Sequence, residues 1–371
     1  MKVSCTQENL AKGLGIVGRS VGNRSTLPVL NNILLQTEKG RLKISATDLE
    51  VGIHTWIGSK VDADGAITIP AKLLMDYVNT NKDKTITLEL KESTLQLQSE
   101  HYKANIKGIE ASEFPLIPEV KNAAEIEVLV SDFSTAISRT IIATALDESR
   151  PVLAGIYLNA NDNKLKMVAT DSYRLAEQTI SLSKKITQEL SVIVPQRTMA
   201  EVGRILGENI EKAKILIGEN QIEFILGETI LVSRLIEGNF PDYTQIIPKS
   251  HKTRLEASTA EFANAIKMAS LFARESANNI KVKMDPANET DKIQVLAVSP
   301  QLGDNVSAVA GKVEGEALEI AFNAKFVLDA LQVLGSENLA LELSGNLTAG
   351  ILKSIKDPNY LYVIMPLRID E

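Results

Sequence analysis

Two aspartates stand at matched places, Asp48 within SATDLEVG (residues 45–52) and Asp171 within MVATDSYRLAE (residues 167–177). Paired carboxylates are the raw material of general acid–base catalysis. Each, however, follows a threonine at the end of an alternating apolar run (Leu42, Ile44, Ala46; Leu165, Met167, Ala169). Each also precedes a second strand-like run (Val51, Ile53; Leu175, Glu177, Thr179). Thr and Asp side chains bond readily to nearby backbone N–H groups, so Thr-Asp between two strands predicts a tight turn. A catalytic group is rarely needed once per repeat, and both aspartates read as turn formers.

Other reactive residues fare no better. His54, His101 and His251 fall in strand or loop contexts without the H-x-x-x-H spacing or the Cys and carboxylate grouping of a metal site. Cys5 opens the chain in a strand and reads as a buried structural thiol. GLGIVG at residues 13–18 matches G-x-G-x-x-G, with Glu38 twenty residues further on. A dinucleotide fingerprint needs a strand ending at the first glycine and a helix after the last. Here six helix-compatible residues, Gln7 to Lys12, precede Gly13, and Gly22 and Pro28 follow. Small residues on a closely packed helix face account for the pattern. No catalytic constellation, metal or cofactor is expected.

The elements that carry these residues repeat. The Ala-Thr-Asp turn at Ala46 returns at Ala169, and EFP at Glu113 returns as NFP at Asn239. ITIPAKLLMDYV at Ile67 returns as VIVPQRTMAEVG at Val192 and as IAFNAKFVLDAL at Ile320, so the copies are spaced 123 to 128 residues apart. Three copies of one unit result, with boundaries at 1–120, 121–249 and 250–371 and linkers over 114–124 and 248–254. Apolar residues at helical spacing predict a first helix per unit over 8–20, 132–145 and 261–273. A second helix is expected to open at Pro70, Pro195 and Asn323, proline being suited to a first turn. Strands are expected at 33–37, 156–158 and 280–284. Hairpins follow over 85–90 with 94–98, 213–217 with 221–226, and 339–343 with 349–355. Each unit is therefore α+β, two helices on an antiparallel sheet.

With 371 residues and 44% hydrophobic content, each unit can bury a core. The sequence holds no apolar run of membrane-spanning length, and MKVSCTQENLAKGLG lacks the pattern of a signal peptide. A lone cysteine suits a reducing compartment, and the cytoplasm is the expected location. The net charge is −7, which disfavours nucleic acid unless the cations are gathered in one place. With 4% aromatics, stacking on single strands is not expected. Arg19, Arg24, Lys72, Arg139, Arg197, Arg204, Lys267, Arg274 and Lys325 lie in or beside the predicted helices, and acids crowd the loops and hairpins. Equivalent helices in three units would bring these cations to one surface, able to neutralise phosphates without reading bases. The apolar stretch near residues 360–368 is expected as a buried strand that, beside Leu153 and Leu175, lines a groove for a partner's peptide.

With the three-fold repeat, VATDSYRLAE, FPDY at Phe240, TLPVLNNILL at Thr26, ATDLE at Ala46 and the terminal YVIMPLR, the chain resembles the DNA polymerase III β subunit family, the bacterial sliding clamps. The resemblance covers essentially the whole chain. It implies a non-catalytic processivity factor: three tandem DNA-clamp domains in a head-to-tail homodimer, closed as a ring on double-stranded DNA without sequence preference. It further implies partners that dock through short peptides, namely the replicative polymerase, a clamp loader, other polymerases and repair factors, with no membrane.

Carried over by position, Arg24, Lys72 and Arg197 would face DNA, and Leu271 and Phe272 would meet Ile106 across the dimer. The peptide pocket would comprise Leu153, Thr170, Ser172, Tyr173, Arg174, Leu175, Pro241, Gln245 and Ile246, completed by Val363, Ile364, Met365, Pro366, Leu367 and Arg368. The chain departs from the family in carrying Ser172-Tyr173 where Gly-His is frequent and Gln245 where a basic residue is common. It also runs on to Asp370 and Glu371 beside the pocket. The alternatives are a peptide-binding scaffold that never meets DNA, and a repeat-built hydrolase or transferase using Asp48 or Asp171.

Overall fold

The computed structural model describes residues 1–22, 27–121, 123–147, 149–207, 210–288 and 292–368. Among these residues the helices are α1 Gln7–Val17, α2 Ala71–Thr80, α3 Val130–Ile141, α4 Gln196–Ile205, α5 Thr259–Ala273 and α6 Ala324–Val333. Side chains cap the starts of three of them. Thr6 accepts from the Asn9 N–H, Ser258 from Glu261 and Asn323 from Lys325, so the first orphan donors of each helix are satisfied. Pro70, Pro195 and Asn323 close a strand, and the helix begins one residue later in each case. GLGIVG runs along α1 and just past its end. A Cβ built on Gly13 would stand 2.8 Å from both Ile44 Cδ1 and Ile57 Cγ2, so this glycine is there to let the helix lie close to its sheet.

The chain divides into two compact units, Met1–Val130 with Glu201–Leu235, and Ser131–Ala200 with Ile236–Glu371. The first holds a five-stranded and a nine-stranded antiparallel sheet. The five-stranded order is Lys60–Ala63, Lys2–Thr6, Thr85–Lys91, Thr94–Gln98, Lys103–Lys107. The nine-stranded sheet joins two sequence repeats where Val51–Ile57 pairs with Thr229–Arg234, Val51 opposite Ser233 and Gly52 opposite Val232. α1 packs on strands Arg41–Thr47 and Val51–Ile57, burying Leu10, Leu14 and Val17.

The second unit repeats this plan. Its nine-stranded sheet joins repeats where Arg174–Ser181 pairs with Tyr360–Ile364, Arg174 opposite Ile364 and Leu175 opposite Val363. A four-stranded sheet ends on Gly303–Val309, and α5 packs on α6 and on strands Ile293–Ser299 and Gly303–Val309. The expected α+β unit of helices on antiparallel sheet is thus present, with neighbouring copies fused strand to strand.

Each of the four sheets among the described residues has two end strands, and two of these stand apart from the rest, Lys103–Lys107 in the first unit and Gly303–Val309 in the second. They are the repeat counterparts of the fused strands. Gly303–Val309 follows its hairpin partner as Val51–Ile57 and Arg174–Ser181 follow theirs. Lys103–Lys107 closes its copy as Thr229–Arg234 and Tyr360–Ile364 close theirs.

Candidate functional site

The two Thr-Asp turns are built alike. In the first, Asp48 Oδ1 accepts from the N–H groups of Glu50 (3.1 Å) and Val51 (2.8 Å), and Thr47 Oγ1 accepts from Leu49 N–H and donates to Val51 O, both 3.0 Å. In the second, Asp171 Oδ1 accepts from Tyr173 (3.0 Å) and Arg174 (2.9 Å). Thr170 Oγ1 accepts from Ser172 N–H at 3.1 Å and donates to Arg174 O at 2.7 Å. In both aspartates Oδ1 is taken up by two backbone N–H groups, the arrangement of a turn former and not of a catalytic acid or base.

What differs is the residue after the turn. Val51 in the first copy is replaced by Arg174, whose side chain is 6% exposed and paired through Nε with Asp171 Oδ2 (3.0 Å) and through Nη1 with Asp329 Oδ2 (2.6 Å). Its guanidinium lies 4.4 Å over the Phe326 ring of α6. Tyr173 stacks on the same ring and is 64% exposed.

Strand pairing brings the C-terminal residues to this turn. Met365 N–H donates to Tyr173 O at 2.8 Å, so Met365, 39% exposed, lies beside Tyr173. Leu175 and Val363 are buried beneath in one apolar cluster with Val168, Ala349 and Tyr243, against which Tyr157, Phe240, Ile247 and Leu361 pack. Tyr243 was not among the expected pocket residues, although it is the last letter of FPDY. Its burial pushes the phenol's pKa upward, and Glu177 reinforces the shift. Arg150 Nη1 donates to Ser172 Oγ at 3.1 Å, which brings the short turn Pro151–Leu153, with Leu153 buried, alongside. Pro241, Gln245 and Ile246 lie on the exposed side of the segment that Phe240 and Tyr243 anchor, and Gln245 is held by Asp242. Pro366 leads away from the turn. Leu367 N–H bonds to Ala321 O, and Arg368 is exposed beyond it. Asp370 and Glu371 lie outside the described residues.

The cations sort into two groups. Lys72, Arg197 and Lys325 are each the second residue of the second helix in their copy, and all three are exposed. Arg139 corrects the expectation that helix cations share an outward surface. It is 7% exposed and turned inward, Nε donating to Val333 O (3.1 Å) and Nη2 to Leu334 O (2.9 Å), with Nη1 on Gln178 and Asp357. It caps the C-terminal end of α6, where the carbonyls carry partial negative charge. Arg204 pairs with Glu201 and Lys325 with Asp329. Arg24 lies outside the described residues.

Leu271 is 47% exposed on α5 and Phe272 is partly buried beside it, whereas Ile106 is 5% exposed in the sheet of its own unit. Cys5 is buried, and that burial pushes its thiol up to about 12, where it stays protonated and unreactive. His101 Nδ1 sits 2.8 Å from Asp83 Oδ1, and with the exposed Glu100 they form a group whose candidate ligand atoms lie within 4.8 Å of one another. Asp83 is already engaged with the His101 ring and backbone, and nothing further marks a metal there. No helix of the described residues is long and apolar enough to cross a membrane.

Comparison with known proteins agrees with this architecture. Residues 1–118, 127–242 and 244–368 match the family models of the N-terminal, central and C-terminal domains of the DNA polymerase III beta subunit. A curated relative, the beta sliding clamp of Staphylococcus aureus, is 31% identical over 360 residues, covering 94% of both chains. The DNA polymerase sliding clamp of Bacillus subtilis superposes with a TM-score of 0.94 at 28% identity, covering all of both chains. The Pseudomonas aeruginosa clamp solved with griselimycin bound does so with the same score, identity and coverage. With all three domain models in order along it and a relative of this identity and coverage, the chain belongs to the DNA polymerase III beta subunit family, the beta sliding clamps.

Proposed function

We propose that this chain is a processivity factor: a head-to-tail homodimer closed as a ring around duplex DNA, which tethers the replicative polymerase and other partners by their peptides. It performs no chemistry of its own. The observation that carries the reading is a pair of sheet-end strands that repeat, position for position, the strands fused inside the chain. At both junctions inside the chain, the strand after a turn pairs with the closing strand of the next copy. Gly303–Val309 and Lys103–Lys107 are those same two strand types, each paired on one side only among the described residues. Exposed strand edges call for a partner, and a second copy placed head to tail supplies both.

In this arrangement the boundaries at 1–120, 121–249 and 250–371 delimit three clamp domains. Leu271 and Phe272 flank the dimer contact, next to the strand that bears Ile106. Arg24, Lys72 and Arg197 face the DNA, holding phosphates loosely enough to slide while the net negative exterior discourages nonspecific contact. Leu153, Thr170, Ser172 to Leu175, Pro241, Gln245, Ile246 and Val363 to Arg368 form the peptide pocket, with Tyr243 in its floor. The clamp loader, other polymerases and repair factors would share that pocket, in the cytoplasm where replication takes place.

Light scattering tests the assembly. The reading requires a mass of twice the 40.4 kDa chain at micromolar concentration, and a monomer at that concentration contradicts it.

A further inference from the structure

We propose that Asp329 is a positioning residue for the peptide pocket, and that its carboxylate couples the pocket to the DNA-facing end of α6. The inference rests on the clamp reading above. Asp329 Oδ2 accepts two charge-assisted bonds, from Arg174 Nη1 at 2.6 Å and from Lys325 Nζ at 3.1 Å. The first partner belongs to the pocket, and its Nε also grips Asp171, whose Oδ1 holds the Tyr173 and Arg174 backbone. The second occupies the place in its repeat that Lys72 holds in the first, since Ala71-Lys72-Leu73-Leu74-Met75-Asp76 is matched by Ala324-Lys325-Phe326-Val327-Leu328-Asp329. One carboxylate oxygen therefore stands between a candidate phosphate contact and the pocket turn.

The two bonds are unequal in a way that sets the direction of coupling. Lys325 is 62% exposed and paired at i,i+4, a contact weak enough for a phosphate to displace. Arg174 is 6% exposed and has little freedom to move. When a phosphate draws Lys325 away, Asp329 Oδ2 serves Arg174 alone, and losing the competing cation strengthens the remaining ion pair. The Asp171 turn, and Tyr173 resting on Phe326, are then held more firmly. DNA at α6 thus favours the ordered pocket, and by linkage a peptide in the pocket favours DNA by the same factor, about two- to five-fold on the scale of one displaced exposed ion pair.

Backbone amide hydrogen exchange at Tyr173 and Arg174 in the full-length dimer reads this directly. Without DNA, Asp329→Asn speeds exchange at these two amides several-fold while the amides of α1 and α5 are unchanged. Wild-type rates in that variant overturn the positioning role. With saturating duplex DNA at low salt, exchange at the two amides slows two- to five-fold in the wild type and does not respond in Lys325→Ala. An equal response in both proteins overturns the coupling. A wild type that fails to bind the duplex overturns the clamp reading and the coupling together, while the DNA-free comparison still decides the role of Asp329.

Discussion

Leu49 and Ser172 occupy the same left-handed backbone position, with φ of 78° and 76°, one residue past the aspartate in the first and second Thr-Asp turns. A side chain there costs roughly 1 kcal/mol, and the bonds accepted by Asp48 and Asp171 offset that cost. Glycine at Ser172 should therefore be tolerated or mildly stabilising, whereas Asp171→Ala should destabilise by about 1–2 kcal/mol, the scale of a lost cap. Urea unfolding of the two variants checks this.

Arg139 should be among the most costly single truncations in the second unit. Its guanidinium serves the carbonyls of Val333 and Leu334 at the end of α6, Gln178 and Asp357, and lies 4.9 Å over the Tyr360 ring. Removing it leaves those acceptors without their donor, and Arg139→Ala should lower stability by about 3 kcal/mol. Thermal or urea unfolding measures it, and a loss below about 1 kcal/mol contradicts the capping role.

His54 makes stability depend on acid. Burial first, and Lys43 next, hold its imidazole down at about 4, well under the ordinary histidine value. A folded pKa below the unfolded one means that the unfolded chain binds the proton first. The stabilising contribution of neutral His54 is complete above about 6.5 and declines as pH falls toward about 4. Between pH 7 and 4.5 the wild type should lose more stability than His54→Gln, which cannot take up the proton. Unfolding midpoints across that range decide it.

Much of this was legible in the sequence because it is local. A Thr-Asp pair between two alternating runs specifies its turn through bonds spanning two to four residues, and Gly13 of GLGIVG announces a helix face that packs closely. Copy number was legible because the strand-to-helix phrases recur whole. Partners supplied from afar were not. Arg139 reads as one more helix cation, and only the fold brings Val333 and Leu334 to it from 194 and 195 residues away. The same holds for Arg174 with Asp329, and for Tyr243, whose place under the pocket depends on how Phe240 stacks on Tyr157. Ile106, expected at a dimer contact, contributes its side chain to its own sheet, and the strand it sits on is paired on one side only among the described residues.

The proposed dimer contact has its own check. Leu271→Asp with Phe272→Asp would place charge against an apolar partner surface, where unpaired burial is strongly unfavourable. Sedimentation at nanomolar concentration should show monomers, with circular dichroism unchanged. A double variant that stays dimeric there removes these residues from the interface.

Topological retention on DNA tests the central claim most directly. After loading by a clamp loader, the protein should stay with nicked circular plasmid through a high-salt gel-filtration step and be released when the plasmid is linearised, because only a closed ring is held by the absence of DNA ends. Equal loss from circular and linear forms would contradict a clamp that encircles DNA.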